Sequence, residues 1–444
     1  MRAADPLDRS FGGFVARAQE AGELVVQPRM GVSSPRIMRA GLLATKAARA
    51  TTVGTITLDS YTRVGDHENA HAALRAGVEL NGYPIVAHDL DTTRAVLAGV
   101  ADLDFPVQVR HGSACPDQIF SALIDAGMHA TEGGPVSYCL PYSRTPLEAS
   151  IASWTRSCEL LAQVAGTGVE PHLESFGGCL LGQLCPPSLL VAVGILECLF
   201  FRQHGLRSVS LSYAQQPNPD QDHEALLALG RLAAEWMPDI DYHVVVYAYM
   251  GVYPRTPIGA TRLLEEAARL AVRTGAARLI VKTVAEAHQI PTIPNNIEAL
   301  EAAAAAATAE RRRPALHRVE DTGIYDEARA LIEAVVDLRQ DLGRAIADAF
   351  RTGILDVPYC LHPDNAGRTR SYLDATGRLL WSDIGSMPIG HVVRPSRSAE
   401  LTSSGLIASL SYVERKFDAA GLEEHLAVPP QELPDLHREL KESM

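Results

Sequence analysis

Short apolar segments alternate with helical ones across roughly the first 300 residues. The strand-like segments are Leu24–Pro28, Val53–Asp59, Pro106–Arg110, Met128–Glu132, Val169–Glu174, Ser208–Tyr213, Tyr242–Ala248 and Ala277–Thr283. Helix signals fall between them. Ser34-Pro35 puts a capping hydroxyl before a proline at the first helical position. Thr145-Pro146-Leu147-Glu148 predicts a capping box, and Gly127 and Gly275 predict helix stops. Eight strands with intervening helices predict a (β/α)8 TIM barrel; a flavodoxin-like sheet has fewer strands and needs no closure. The segment "NGYPIVAHDL" predicts one strand-like excursion outside the repeat.

Past residue 300 the pattern changes. Glu301 to Arg313 is Ala-rich and helical in character, and Asp321 to Arg351 predicts one long amphipathic helix. Gly353 to Pro395 is rich in Gly, Pro and turns, and "SYLDATGRLLW" predicts a hairpin turning at Asp374–Gly377. The expected division is a barrel over residues 1–310 and a smaller α+β C-terminal region over 311–444, packed on it.

Composition narrows the function classes. The 444 residues are 47% hydrophobic and 21% charged, a soluble globular balance with a sizeable core. A net charge of −13, with no basic run longer than Arg311-Arg312-Arg313, argues against nucleic acid as a ligand. The start "MRAADPLDRSFGG" does not read as a signal peptide. The apolar run Leu189–Phe201 is short and contains Glu197, so it predicts a buried helix and no membrane span. Seven cysteines without a Cys-x-x-Cys pair argue against a disulfide framework or zinc ribbon. A cytoplasmic enzyme is expected.

In such a barrel the chemistry sits at the carboxyl ends of the strands. There the sequence places Arg29, Arg63 and Arg110 after the first three strands, and Glu132 after the fourth, followed by Tyr138 and Tyr142. Lys282 and Glu286 follow the eighth. Three gathered guanidinium groups repel unless an anion pairs them, and their forks suit carboxylates. A glutamate beside them suits an amino group on the same ligand. The constellation therefore points to an amino dicarboxylate. The bland alternative, in which each arginine caps a strand and pairs with a local acid, is plausible for one arginine and much less so for three. His67-Glu68-x-x-His71 matches a zinc-protease pair, but Leu74 and Gly77 stand where the extended motif needs Gly and His. A solvated helix is the better reading.

"QPRMGV", "SYTR", "NGYP", "RHG", "EGGPVSYCLPY", "ESFGG", "PPS", "VKTVAEAHQIPT" and "FRTGILDVPY…NAG" occur in the order found in the large (E) subunit of methylaspartate mutase, also called glutamate mutase. The chain resembles that family from about Gly22 to Pro388. The resemblance implies a (β/α)8 barrel and a radical interconversion of L-glutamate and (2S,3S)-3-methylaspartate dependent on adenosylcobalamin. It implies that Arg29, Arg63 and Arg110 hold the substrate carboxylates with His111 adjacent, that Glu132 meets the ammonium, and that Tyr138 and Tyr142 complete the pocket. It places Gly31, Asn81, Pro141, Tyr253, Lys282, Glu286 and Ile290 against the cofactor. Tyr253 stands where the family has Phe, and the loop "AQQPNPDQD" and Gly177-Gly178 depart from their counterparts, which leaves room for a changed amino-acid substrate.

The base-off cobalamin signature Asp-x-His-x-x-Gly is not formed by Asp241-Tyr242-His243 or by Asp435-Leu436-His437, since neither is followed by the glycine. A separate small cobalamin-binding subunit carrying that motif is expected, with this chain as a homodimer inside a heterotetramer. The rival enzyme reading is a barrel aldolase or lyase that forms a Schiff base on Lys282 with a dicarboxylate. A third is a non-catalytic partner that only docks a cobalamin subunit.

Overall fold

The computed structural model describes residues 10–313, 319–396 and 403–427. Eight parallel strands lie at its centre: β1 (Val25–Gln27), β2 (Gly54–Thr57), β3 (Val107–Arg110), β4 (Ala130–Gly133), β5 (His172–Ser175), β6 (Ser208–Ala214), β7 (Asp241–Tyr247) and β8 (Arg278–Ile280). From β2 to β8 each is hydrogen-bonded to the next in chain order, and β8 pairs with β1. The ring is completed between β1 and β2 by one bridge, Val26 to Thr52, and by the hydrogen bonds of Val26 N to Thr51 O (2.9 Å) and Thr57 N to Met30 O (2.8 Å). This is the (β/α)8 barrel expected from the strand count.

Parallel strands covered on both faces are usually near-continuous apolar runs. Here the inward positions are polar: Gln108 and Arg110 on β3, His172 and Glu174 on β5, Ser208, Ser210 and Ser212 on β6, His243 and Tyr247 on β7, and Arg278 on β8. Burial of such groups is tolerated only when they are hydrogen-bonded. Arg278 accordingly pairs with Glu174 and donates to Gln27, while His172 sits between Ser208 Oγ (2.9 Å) and Ser210 Oγ (3.0 Å). Phe11, at the start of the helix Phe11–Glu20, stacks on His172 at 5.1 Å and closes the amino end of the barrel.

Local signals mostly act as read. Ser34 Oγ caps the helix Pro35–Lys46 through Ile37 N, and Gly127 and Gly275 turn through positive φ at helix ends. The run Leu189–Phe201 is the buried heart of the helix Pro187–Gln203. The hairpin forms from β9 (Arg370–Leu373) and β10 (Leu379–Asp383), with the Asp374 carboxylate accepting from Thr376 N and Arg378 N.

Three expectations are corrected. The capping box at Thr145 does not form: the helix Leu147–Ala162 starts after an extended Pro146, and Asp364 Oδ2 accepts from Leu147 N (2.7 Å) in its place. The single helix over Asp321–Arg351 is two, Ile324–Val336 and Leu342–Thr352, the second capped by Asp341. The break lets each half bury its own apolar face, Leu331 and Ile332 in one and Ile346 and Phe350 in the other. The segment "NGYPIVAHDL" adds only one bridge, Leu58 to Tyr83, because Pro84 has no N–H to extend a ladder.

Candidate active site

The carboxyl ends of the first four strands build one cavity. Arg29 lies two residues past β1, and Arg110 and Glu132 are in β3 and β4. Arg63 ends a one-turn helix, Ser60–Arg63, that Asp59 caps by accepting from Tyr61 N (2.9 Å) and Thr62 N (3.1 Å). These four residues line a cavity of about 150 Å³ together with His111, Tyr138 and Tyr142. Thr57, Gly112, Phe176 and Met250 complete the lining and were not singled out from the sequence. Gly112 has φ +70° and a Cβ there would stand 3.2 Å from Arg63 Nε, so its lack of a side chain leaves room for that arginine. The volume is well below the roughly 300–1,000 Å³ of sites for drug-sized ligands, so the guest is small. Larger grooves exist on the helical surface, but most charges of the one between helices Leu147–Ala162 and Leu342–Thr352 are already paired, as in Arg156–Asp117 and Arg339–Asp348.

The charges in the cavity do not balance. It has three guanidinium groups against one carboxylate, an excess of two positive charges. Arg110 is only 5% exposed. Its Nη2 donates to Tyr247 Oη (3.2 Å), and its Nε lies 2.8 Å from Glu132 Oε2. That ion pair is off the line of a hydrogen bond, so Nε and Nη1 have no hydrogen-bond partner. Arg63 Nε donates to His111 O (3.0 Å), and among the described residues no carboxylate pairs with it. Arg29 has only a long contact, 3.9 Å, to Glu286. Buried guanidinium N–H groups left unpaired are costly, so the arrangement is complementary to a guest that brings two carboxylates.

Glu132 is held from both sides. Tyr138 Oη donates to one oxygen and Tyr247 Oη to the other (2.8 Å). His111 accepts from Ser113 N at Nδ1 (3.0 Å), which leaves its hydrogen on Nε2. Its ring packs between Trp154 (5.8 Å, stacked) and Tyr138 (5.3 Å, edge-on). Burial first, then the charges of Arg63 and Arg110, push its pKa down to about 3, so the imidazole is neutral.

Beneath the loop after β4 lies a second carboxylate. Glu197 accepts from Val136 N (3.2 Å), Ser137 N (2.9 Å), Ser137 Oγ (3.0 Å) and Ser175 Oγ (2.8 Å), and so fixes the turn that presents Tyr138. Burial raises its pKa to about 7 against those hydrogen bonds.

The other expected site residues are not in the cavity lining; Glu286, beside Arg29, and Lys282 mark its rim. Lys282 Nζ is 3.8 Å from Glu286 Oε2 and 4.9 Å over the ring of Tyr253. Burial and the charge of Arg29 lower its pKa to about 8, with Glu286 opposing. Glu286 is thus shared between Arg29 of the cavity and Lys282 of the rim. Asn81 Oδ1 accepts from Ser60 N (3.1 Å), at the helix that carries Arg63. Gly31 sits where β1 and β2 approach: a Cβ would meet Thr57 O at 2.6 Å. Pro141 lies between the two tyrosines, and Ile290 is 68% exposed. His67 and His71 lie on the helix His67–Arg75, and among the described residues no group of three or more His, Cys, Asp or Glu is arranged to hold a metal. Among those residues, no helix is long and apolar enough to cross a membrane.

A closed parallel barrel with a charged cavity at the carboxyl ends of its strands is an enzyme's layout. The class follows from comparison: the chain is a mutase subunit, an isomerase, and it belongs to the methylaspartate mutase E chain family, whose profile matches residues 6–407. It is 30% identical over 402 residues to the glutamate mutase epsilon subunit of Escherichia coli O157:H7, covering 86% of this chain and 82% of that one. It is 31% identical over 402 residues to the subunit of the same name from Halobacterium salinarum, covering 87% and 83%.

Proposed function

We propose that this chain is the substrate-binding subunit of an adenosylcobalamin-dependent mutase that interconverts L-glutamate and (2S,3S)-3-methylaspartate. The observation that carries the reading is the excess of two positive charges around a cavity floored by Glu132 and Arg110, with two buried N–H groups of Arg110 unpaired. The two carboxylates of the ligand face the arginines and its ammonium faces Glu132, so glutamate, with a net charge of −1, lowers the excess, and Glu286 lies beside Arg29 as a further carboxylate. Arg29, Arg63 and Arg110 bind the two carboxylates. His111, neutral, donates from Nε2, and Tyr138 and Tyr142 wall the opening. Phe176 adds an apolar wall, and Trp154 backs the His111 ring from behind.

The rim suits the cofactor. Lys282 and Glu286 offer a desolvated cation and a carboxylate beside the ring of Tyr253, and Asn81, Ile290, Gly31 and Pro141 are assigned to the cofactor as the family resemblance implies. The cofactor, when bound, would supply the radical chemistry that removes a hydrogen atom from the substrate. The arginines then keep the substrate's fragments aligned while its carbon skeleton rearranges, which is a proximity effect. A small partner chain bearing Asp-x-His-x-x-Gly would bring the corrin to this face.

The test is direct. This chain, a small cobalamin-binding subunit of the same family of enzymes, adenosylcobalamin and L-glutamate are combined, and the product is identified by NMR. Formation of 3-methylaspartate supports the reading; rearrangement only of a different amino acid would move the substrate assignment. The depressed pKa of Lys282 is the one feature that favours a Schiff-base lyase. Borohydride with a candidate oxo dicarboxylate should leave the mass of the chain unchanged, and a covalent adduct on Lys282 would reverse the choice.

A further inference from the structure

Below the cavity, a layer of buried polar groups touches the substrate-binding side chains without lining the cavity itself. Tyr247, the last residue of β7, is fully buried. Its ring lies under the Arg110 guanidinium at 5.0 Å and edge-on to Phe176 at 5.5 Å. Its hydroxyl accepts from Arg110 Nη2 (3.2 Å) and lies within hydrogen-bond distance of two carboxylates, Glu132 (2.8 Å) and Glu174. One hydroxyl hydrogen thus serves two acceptors. Glu174, on β5, is anchored in turn by Arg278 of β8 and by Gln108 Nε2 (3.3 Å). Arg278 is itself fully buried and also donates to Ser210 Oγ (3.0 Å), so Glu174 cannot withdraw without leaving a buried charge unpaired.

We propose that Tyr247, anchored by Glu174 and Arg278, is a positioning residue that keeps Glu132 and Arg110 from closing into a bidentate hydrogen-bonded pair and so leaves both available to one substrate. The inference rests on the amino-dicarboxylate reading of the cavity. The geometry makes the need plain. Arg110 Nε and Glu132 Oε2 already stand 2.8 Å apart, and a small rotation would bring them into a bidentate pair. Such a pair would remove the cation meant for a carboxylate and the anion meant for the ammonium. The Tyr247 hydroxyl occupies the second corner of that fork, taking Arg110 Nη2 as donor and Glu132 Oε2 as acceptor. It holds the pair off-line and spares Nε and Nη1 for a guest.

The experiment measures binding of L-glutamate and of glutarate, which lacks the amino group, to the full chain by isothermal titration. Wild type should prefer glutamate. Tyr247→Phe keeps the ring and the Glu174–Arg278 pair but frees Arg110 and Glu132 to close. Its preference for glutamate over glutarate should fall about tenfold, the scale of one hydrogen bond to a charged group. If that variant does not fold, Glu174→Asp reads the same ratio, because it keeps a charge opposite Arg278 while drawing the carboxylate away from Tyr247; a loss of several-fold is expected. A purely structural role would weaken both ligands equally and leave the ratio in place. An unchanged ratio in a folded variant overturns the inference while the reading of the cavity stands. A wild-type chain that holds glutarate as well as glutamate overturns both.

Discussion

Arg110 shows how the site works at the scale of one side chain. It is buried, charged and only partly hydrogen-bonded. Arg110→Lys keeps the charge but loses the planar fork, and a charge-assisted hydrogen bond is worth about 1.5–3 kcal/mol. Specificity for glutamate should therefore fall roughly 10- to 100-fold, in turnover as well as in binding, because the fragments lose their alignment. Arg63→Lys should be milder, because part of the Arg63 fork is spent on His111 O. Glu132→Gln keeps the shape and removes the charge that faces the ammonium, so it should lower turnover more than affinity. Steady-state kinetics with saturating partner and cofactor reads all three, and near-wild-type specificity in the lysine variants would remove the arginines from the substrate site. Much of this set was legible, because each member stands beside a strand end or in a short polar motif. Thr57, Phe176 and Met250 were not, since a single threonine, phenylalanine or methionine carries no chemical signal of its own. Glu174, Tyr247 and Arg278 did leave one: in "HLES", "DYHVVVY" and "ARLIVK" polar side chains share the inward register with His172, His243 and Lys282 on largely buried strands. A polar residue at an inward position of a parallel barrel must have a partner across it, and that rule would have found the layer beneath the cavity.

At the scale of elements, the strands were readable because each is a short apolar run between helix signals, and all eight fall within or next to the expected segments. The errors arose where long-range contacts replaced a local motif. Thr145 and Glu148 match a capping box in sequence, yet the cap comes from Asp364, more than 200 residues further along the chain. Asp364→Ala should therefore lower stability by about 1 kcal/mol, whereas Thr145→Ala should cost little, since its contact to His362 uses the backbone carbonyl. Thermal melts of the two variants check this, and the opposite order would restore the local cap. The helix Pro187–Gln203 carries the other element-scale prediction. Glu197 titrates at about 7 in the folded chain against an ordinary 4.5, because burial disfavours its charge. The folded state therefore binds more protons than the unfolded one between those values, and stability falls as pH rises through that window. A shift of this size corresponds to roughly 3 kcal/mol. Glu197→Gln removes the titration, so the stability advantage of wild type over this variant should shrink between about pH 4.5 and 7 and stay level above it. Denaturant unfolding at several pH values measures the difference, and a gap that does not change with pH would show that Glu197 does not titrate in this range.

For the whole molecule, the barrel fixes the direction from which chemistry can arrive. The amino end is filled by Phe11, His172, His243 and Arg278, stacked and hydrogen-bonded to one another. The cavity and the rim around Lys282 lie at the carboxyl end, so under the proposed function a corrin would approach from there. Neither Asp-x-His run of the sequence offers the cobalamin signature on that side. Of the two Asp-x-His runs, His243 belongs to β7 at the filled end, where burial and Arg278 keep its pKa well below the ordinary value and its Nε2 accepts from Arg278 Nε (3.3 Å). The other, Asp435-Leu436-His437, lies outside the described residues and lacks the glycine of the cobalamin signature. The rim residues offer contacts to a cofactor but no ligand to its metal. The chain on its own should therefore pass through gel filtration after mixing with adenosylcobalamin without a stoichiometric corrinoid spectrum, and should turn over no glutamate. Adding a cobalamin-carrying partner should restore both, and replacing the partner's histidine should weaken corrinoid retention while leaving glutamate binding to this chain in place. Turnover by the single chain, or cobalamin retained at one per chain without a partner, would mean that the metal site lies within this polypeptide and that the rim has a different role.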